Sequence, residues 1–174
     1  METKTLAQIE GIPAAVTVLY DAADAGAKQL SGPDFGLRSP NNLDWGDDGF
    51  IYVQEDRVTL PDTLFGGASG KEAAVWRLDP QSGKLIRLLE IDCTAVPAGQ
   101  SDARAGIVGA WGSSGILDVS MVFKDPMKRG GVNPQTVLLM TVQAHGTAGG
   151  GLARYADQAD DLVEGGQLLL AISK

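Results

Sequence analysis

The segment SPNNLDWGDDGFIYVQED, residues 39–56, carries the side chains best suited to bind a cation. It begins with Asn41 and Asn42 and ends with Glu55 and Asp56, with a turn between them. A β-hairpin brings its two ends together, so a carboxylate and an amide carbonyl oxygen can meet there. Such oxygen atoms are the ligands that Ca²⁺ prefers. An ordinary hairpin explains the same residues, with the asparagines capping the strand and Glu55–Asp56 as a solvated strand end.

Two further side chains could take part in acid–base or anion chemistry. His145 is the single histidine and ends the apolar run TVLLMTVQAH. It could act as a general acid or base, a metal ligand or a phosphate contact, or be a packed, hydrogen-bonded residue. Arg38 could pair with a phosphate group or form a surface ion pair. The single cysteine, Cys93, ends another apolar run and is interpreted as a small, partly buried hydrophobic residue.

Short alternating or apolar runs, bounded by Gly, Pro, Asn and Asp, predict a protein built mainly of β-strands. The predicted strands are residues 15–21, 41–45, 50–56, 73–79, 84–92, 115–123, 136–145 and 165–173. Weak helical patterns cover residues 3–11, 22–30 and 153–162. Because so few helices separate the strands, the sequence favours an antiparallel meander over parallel βαβ units.

Two of the predicted hairpins, LDWGDDGFIYV and RLDPQSGKLIRL, share the order apolar strand, Asp, turn, Gly, apolar strand. Their glycines, Gly49 and Gly83, lie 34 residues apart and are expected at positive φ. Units of about this length are typical of β-propeller blades. The predicted strands supply about two to three blades, fewer than a closed propeller needs, so residues 1–174 are predicted to be a single all-β domain forming part of a propeller. A β-sandwich or an open barrel of the same strands is the alternative.

The composition excludes several classes of partner. A net charge of −8 provides no electrostatic footprint for nucleic acid or anionic lipid. No run approaches the roughly 20 apolar residues of a membrane span, and no signal peptide is visible. We therefore expect a soluble chain, either cytosolic or part of a protein whose export signal lies elsewhere.

Six segments of the chain, in order, resemble the C-terminal part of the PhoX-type alkaline phosphatase-like proteins. They are FGLRSPNNLDWGDDGFIYVQEDR, GGASGKEAAVWRLDPQSGKL, EIDCTAVPAGQSD, SSGILDVS, VQAHG and LVEGGQLLL, spread over about residues 14–172. The resemblance implies a β-propeller with calcium on its axis and a further metal, such as iron, in the full-length proteins. It also implies release of phosphate from phosphomonoesters by exported bacterial proteins, in the periplasm or outside the cell.

Carried over residue by residue, the resemblance makes Glu55 an axial metal ligand, with Asp56 beside it and with Asn41 and Asn42 at the polar start of the same blade. It matches His145 to a late histidine that serves as a polar contact or a structural residue. Because axial sites draw ligands from several blades, the isolated chain is expected to be weakly active or inactive. It is also expected to associate with missing blades or with further copies of itself. A non-catalytic calcium-binding or scaffolding and adhesion module is the alternative function.

Overall fold

The structure, a computed structural model, describes residues 16–21, 36–56, 72–102, 111–123, 136–145, 147–149 and 164–173. Within these ranges the elements are β1 (Pro40–Trp45), β2 (Ile51–Glu55), β3 (Ala74–Leu78), β4 (Leu85–Glu90), β5 (Gln100–Asp102), β6 (Gly112–Asp118), α1 (Ser120–Phe123), β7 (Val137–His145), β8 (Thr147–Gly149) and β9 (Glu164–Ile172). Every recorded strand pairing is antiparallel. The chain is therefore an all-β protein with antiparallel sheets, as the alternating runs predict.

Three sheets share these strands. Strands β1 to β4 pair in chain order and form what we call the meander sheet. Strands β6, β7 and β9 form the three-stranded sheet, and β5 pairs with β8 in a two-stranded ribbon. The two larger sheets contact each other mainly where β1 and β2 lie against β6. The meander predicted from sequential hairpins is thus confirmed for the first four strands.

The two predicted hairpin turns owe their shape to glycine and aspartate. Gly49 and Gly83 have φ values of 86° and 70°, a backbone region that glycine adopts without a steric penalty. Asp79 accepts a hydrogen bond from the N–H two residues further on, at 2.9 Å. Asp48 does the same for Phe50, at 3.1 Å. These local bonds satisfy the turn backbone and set the register of the strands on either side.

The core lies on both faces of the meander sheet. All five residues of β2 are buried, which requires that the strand is covered on both sides. On one face an apolar cluster is formed by Leu37, Ile51, Val53, Ala74, Trp76 and Leu78. Between the sheets a second cluster contains Cys93, Trp111, Val142 and Ala144. Cys93 is therefore a buried hydrophobic residue, as predicted.

The strand predicted over residues 15–21 is wrong for its described part, residues 16–21, which have no strand structure. Val16 and Val18 are 94% and 76% exposed, so they gain none of the cross-strand packing that stabilises a strand. The hydroxyl of Tyr20 nevertheless donates a hydrogen bond to the Leu37 carbonyl at 3.1 Å. This segment thus packs on the meander sheet without extending it.

The strand predicted over residues 115–123 is correct only in its first part. β6 ends at Asp118, and Ser120–Phe123 forms the short helix α1. The Asp118 carboxylate accepts the backbone N–H of Ser120 at 2.8 Å, a local turn bond that satisfies the first N–H of the helix. The helical patterns predicted at 3–11, 22–30 and 153–162 lie outside the described residues.

Gly46 occupies a position in the first turn that has no room for a side chain. A Cβ atom there would lie 2.7 Å from a Tyr52 ring carbon and 2.9 Å from a carboxylate oxygen of Asp118. We expect Gly46→Ala to lower the free energy of unfolding by about 1–3 kcal/mol, because the neighbouring side chains must shift. Urea denaturation measures the loss. Gly49→Asn is the matched control, since that position is open and Asn tolerates positive φ; equal losses in the two variants would contradict the steric explanation.

Candidate functional site

Glu55, the predicted metal ligand, is the last residue of β2 and is only 1% exposed. One carboxylate oxygen accepts the backbone N–H of Arg38 at 2.7 Å. The other accepts the backbone N–H of Ala74 at 2.9 Å. The carboxylate therefore ties the segment before β1 to the start of β3. The interpretation of Glu55 as a solvated strand end is wrong, because the sheet is covered on this side.

The electrostatic surroundings of Glu55 oppose its ionisation. Burial raises its pKa from 4.5 to about 7, because the charged form loses its hydration. The Arg38 N–H and the positive charge of Arg87 lower the pKa again, but by less than burial raises it. Arg87 lies over the ring of Trp76, 4.5 Å from its centroid, on the same side of the sheet. Glu55 is thus a buried acid that can exchange a proton near neutral pH.

Asn42 lies at the same end of the hairpin as Glu55, but the two side chains have different partners. Pro40 pairs with Glu55 and Leu43 pairs with Val53, so β1 carries one extra residue between these positions. This is the geometry of a β-bulge, which changes the register and redirects the strand. The amide nitrogen of Asn42 donates to the Ser114 hydroxyl at 3.3 Å, in the other sheet.

The two remaining predicted ligands, Asn41 and Asp56, are the sequence neighbours of Asn42 and Glu55. Asn41 is exposed at the start of β1. Asp56 is half-buried, and its backbone N–H donates to the carbonyl of Ser39 at 3.0 Å. The structure therefore places Asn41, Asn42, Glu55 and Asp56 at one end of the hairpin. The hydrogen bonds of Asn42 and Glu55 nevertheless go to different partners, so these two side chains do not meet at one point.

A buried serine joins this end to the three-stranded sheet. Ser113 is fully buried, and its hydroxyl donates to the backbone carbonyl of Glu55 at 2.9 Å. The contact spans 58 residues of sequence. Sequence reasoning did not identify this role for Ser113, because the motif AWGSSG carries no signal beyond small residues next to a strand.

His145 is the last residue of β7, and its backbone pairs with Glu164 at the start of β9. Two residues earlier on β7, Gln143 pairs with Gly112 at the start of β6. Because Gly112 precedes Ser113, which bonds to Glu55, this end of the three-stranded sheet is the one next to Glu55. The backbone of His145 therefore belongs to the same end of the fold as Arg38 and Glu55.

A second polar cluster joins the sheets at their other end. The backbone N–H of Asp118 donates to the Asp44 carboxylate at 2.5 Å, and that of Asp47 donates to the Asp118 carboxylate at 3.0 Å. The Tyr52 hydroxyl donates to Asp48 at 2.6 Å. Burial, together with this bond, raises the pKa of Tyr52 to about 12. These acidic side chains act as hydrogen-bond acceptors that hold β1 and its turn against β6.

The described residues do not fit a complete calcium site. Calcium takes about six to eight oxygen ligands. In the part of the chain that the structure describes, no three His, Cys, Asp or Glu side chains converge to hold a metal ion. Both oxygens of Glu55 also accept backbone N–H groups. Glu55 could supply one ligand, and the others would have to come from elsewhere.

Neither protein-family models nor curated proteins nor solved structures gave a match to the chain. Among the described ranges, no helix has the length and apolar character to cross a membrane. The candidate site is therefore defined by the geometry of the two sheets and by the residues at the Glu55 end.

Proposed function

We propose that the chain forms two neighbouring blades of a β-propeller. The observation that carries this proposal is the apolar character of the outer faces. Leu43 and Trp45, on the outer side of the meander sheet, are 65% and 64% exposed. Leu117 and Leu168, on the far side of the three-stranded sheet, are 51% and 70% exposed. A β-sandwich presents polar residues on its outer faces, whereas a propeller blade packs both faces against neighbours.

In such a propeller the chain would be the C-terminal part of a PhoX-like calcium-dependent phosphomonoester hydrolase, in the periplasm or outside the cell. Glu55 would contribute a carboxylate at the blade end, and Arg38 and His145 are the candidate contacts for the phosphate group. A complete calcium site, and any site for a second metal such as iron, would need ligands from further blades, so the chain alone is expected to bind Ca²⁺ weakly through Glu55 and its neighbours. Those blades, or further copies of the chain, would cover the apolar outer faces.

This proposal predicts a calcium response without catalysis. The chain is expected to release no phosphate from p-nitrophenyl phosphate above background, with or without Ca²⁺. Ca²⁺ is expected to raise its thermal midpoint, since ligand at about ten times its Kd adds about 1.4 kcal/mol to the folded state. The shift should vanish in Glu55→Gln, and Mg²⁺ is the control ion. Calcium-dependent phosphate release that Glu55→Gln abolishes would contradict the expected inactivity, and an unchanged midpoint would contradict metal binding.

The second candidate is a non-catalytic scaffolding or adhesion module. The two hydrogen bonds that the Glu55 carboxylate accepts from backbone N–H groups favour this candidate, because they give Glu55 a structural role that requires no metal. A midpoint that ignores Ca²⁺, together with a ring of several copies in sedimentation, would support this candidate over the phosphatase segment.

A further inference from the structure

An elongated cleft runs between the meander sheet and the three-stranded sheet. It consists of a cavity of about 350 Å³ and a neighbouring cavity of about 280 Å³. Leu89 and Ala171 line both of them, so the two cavities join at these residues. A volume of this size is in the range of small-molecule sites, which are commonly concave, mostly apolar and provided with a few polar groups.

The larger cavity has apolar walls. Val75 and Leu89 line it from the meander sheet, Met140 and Leu169 from the three-stranded sheet, and Trp111 from between them. Leu89 and Leu169 remain 38% and 37% exposed at its opening. An alkyl chain placed here would remove apolar surface from water at about 25 cal/mol per Å².

The two ends of the cleft differ in charge. Glu90 and Asp92 line the larger cavity, and both carboxylates already accept backbone N–H groups, at 3.2 and 2.9 Å. The Glu90 carboxylate also lies 3.7 Å from the guanidinium of Arg87, which balances its charge. Arg77 lines the smaller cavity together with the Thr136 and Ser173 positions. Its guanidinium stacks on the Phe50 ring, 4.4 Å from the centroid. A stacked guanidinium keeps its in-plane N–H donors, which match a carboxylate in geometry.

We propose that this cleft binds a single anionic amphiphile, with its carboxylate at Arg77 and its alkyl chain in the larger cavity. The net charge of −8 disfavours a surface of anionic lipid, whereas one ligand in the cleft is held by the local charge of Arg77 and by apolar burial. The orientation follows from the positions of the charges, since Arg77 lies at one end of the cleft and the Asp92 carboxylate at the other. The proposal is independent of phosphatase activity, because neither Glu55 nor any metal takes part in it.

The test is calorimetric titration of the whole chain with decanoate below its micelle concentration. Saturable binding of decanoate is expected, with decanol weaker and decylamine weakest. Arg77→Met should weaken decanoate about tenfold, which corresponds to one charged contact, and leave decanol unchanged. Ala171→Leu, at the junction of the two cavities, should weaken both ligands. Leu168→Gln, on the other face of the same strand, is the matched control and should bind like the wild type.

The position of the ligand's alkyl chain is checked with decanoate brominated at its terminal carbon. Bromine quenches a nearby indole, so it should quench the fluorescence of Trp111 and lose this effect in Trp111→Phe. Absence of binding by the wild-type chain would overturn the proposal. So would tighter binding of decylamine than of decanoate, or equal decanoate binding by the wild type and Arg77→Met. Circular dichroism of each variant confirms that it has the wild-type fold before its affinity is compared.

Discussion

Glu55→Ala is expected to lower the free energy of unfolding by about 3 kcal/mol, measured by urea denaturation at about pH 6. The substitution removes the acceptor of two backbone N–H groups, those of Arg38 and Ala74. A buried donor without an acceptor costs about 1–3 kcal/mol. The missing side chain also leaves a cavity beside Trp76, which adds to the loss.

Glu55→Gln is the matched control for this experiment. It keeps the volume and one acceptor oxygen, so we expect a loss of about 1 kcal/mol, one hydrogen bond. An alanine variant as stable as the wild type would show that the carboxylate does not hold β3 and the Arg38 segment together. If the alanine variant does not fold, the glutamine variant still measures the contribution of the second acceptor.

The stability of the wild type relative to Glu55→Gln is expected to fall as the pH rises. The folded-state pKa of Glu55 is about 7, whereas the ordinary value is 4.5. A raised pKa means that the folded state holds the proton more tightly than the unfolded state. The resulting stabilisation is fully present below pH 4.5 and is lost as the pH passes through 7. The total change is about 3 kcal/mol, with a slope near 1.4 kcal/mol per pH unit.

The measurement is a pair of urea denaturation series, wild type and Glu55→Gln, across this pH range. Titration of the other acidic residues is common to both proteins and cancels in the difference. A difference that stays flat would mean that Glu55 is ionised throughout, and that its two N–H donors outweigh the effect of burial.

Local signals explain why much of the meander sheet could be predicted from sequence. The turn at Gly83 needs only a glycine and an aspartate a few residues apart, and both are visible in RLDPQSGKLIRL. The prediction failed at residues 16–21 because strand propensity counts only when a partner strand is present. It failed at Ser120–Phe123 because the Asp118 side chain bonds the backbone N–H of Ser120 and turns the chain, an alternative to the strand that the apolar pattern of GILDVSMVF does not show.

The candidate site was less predictable, because its contacts join distant parts of the chain. The register of Leu43 with Val53, if continued, places Asn41 opposite Glu55, but one extra residue in β1 shifts the pairing to Pro40. The sequence contains no sign of this bulge. The burial of Glu55 likewise depends on segments 17 and 19 residues away. An acidic residue at a strand end therefore looks the same in sequence whether it is solvated, metal-bound or bonded to the backbone.

The position of Cys93 makes its thiol a reporter of transient local opening between the two sheets. Cys93 is 3% exposed, and burial raises the pKa of its thiol to about 12. Alkylating reagents attack thiolates, so at neutral pH they should modify only those molecules in which the cluster around Trp111 has transiently separated. Because the sequence contains one cysteine, each modified chain records one such event. The rate of modification therefore measures how often the apolar region between the two sheets opens to water.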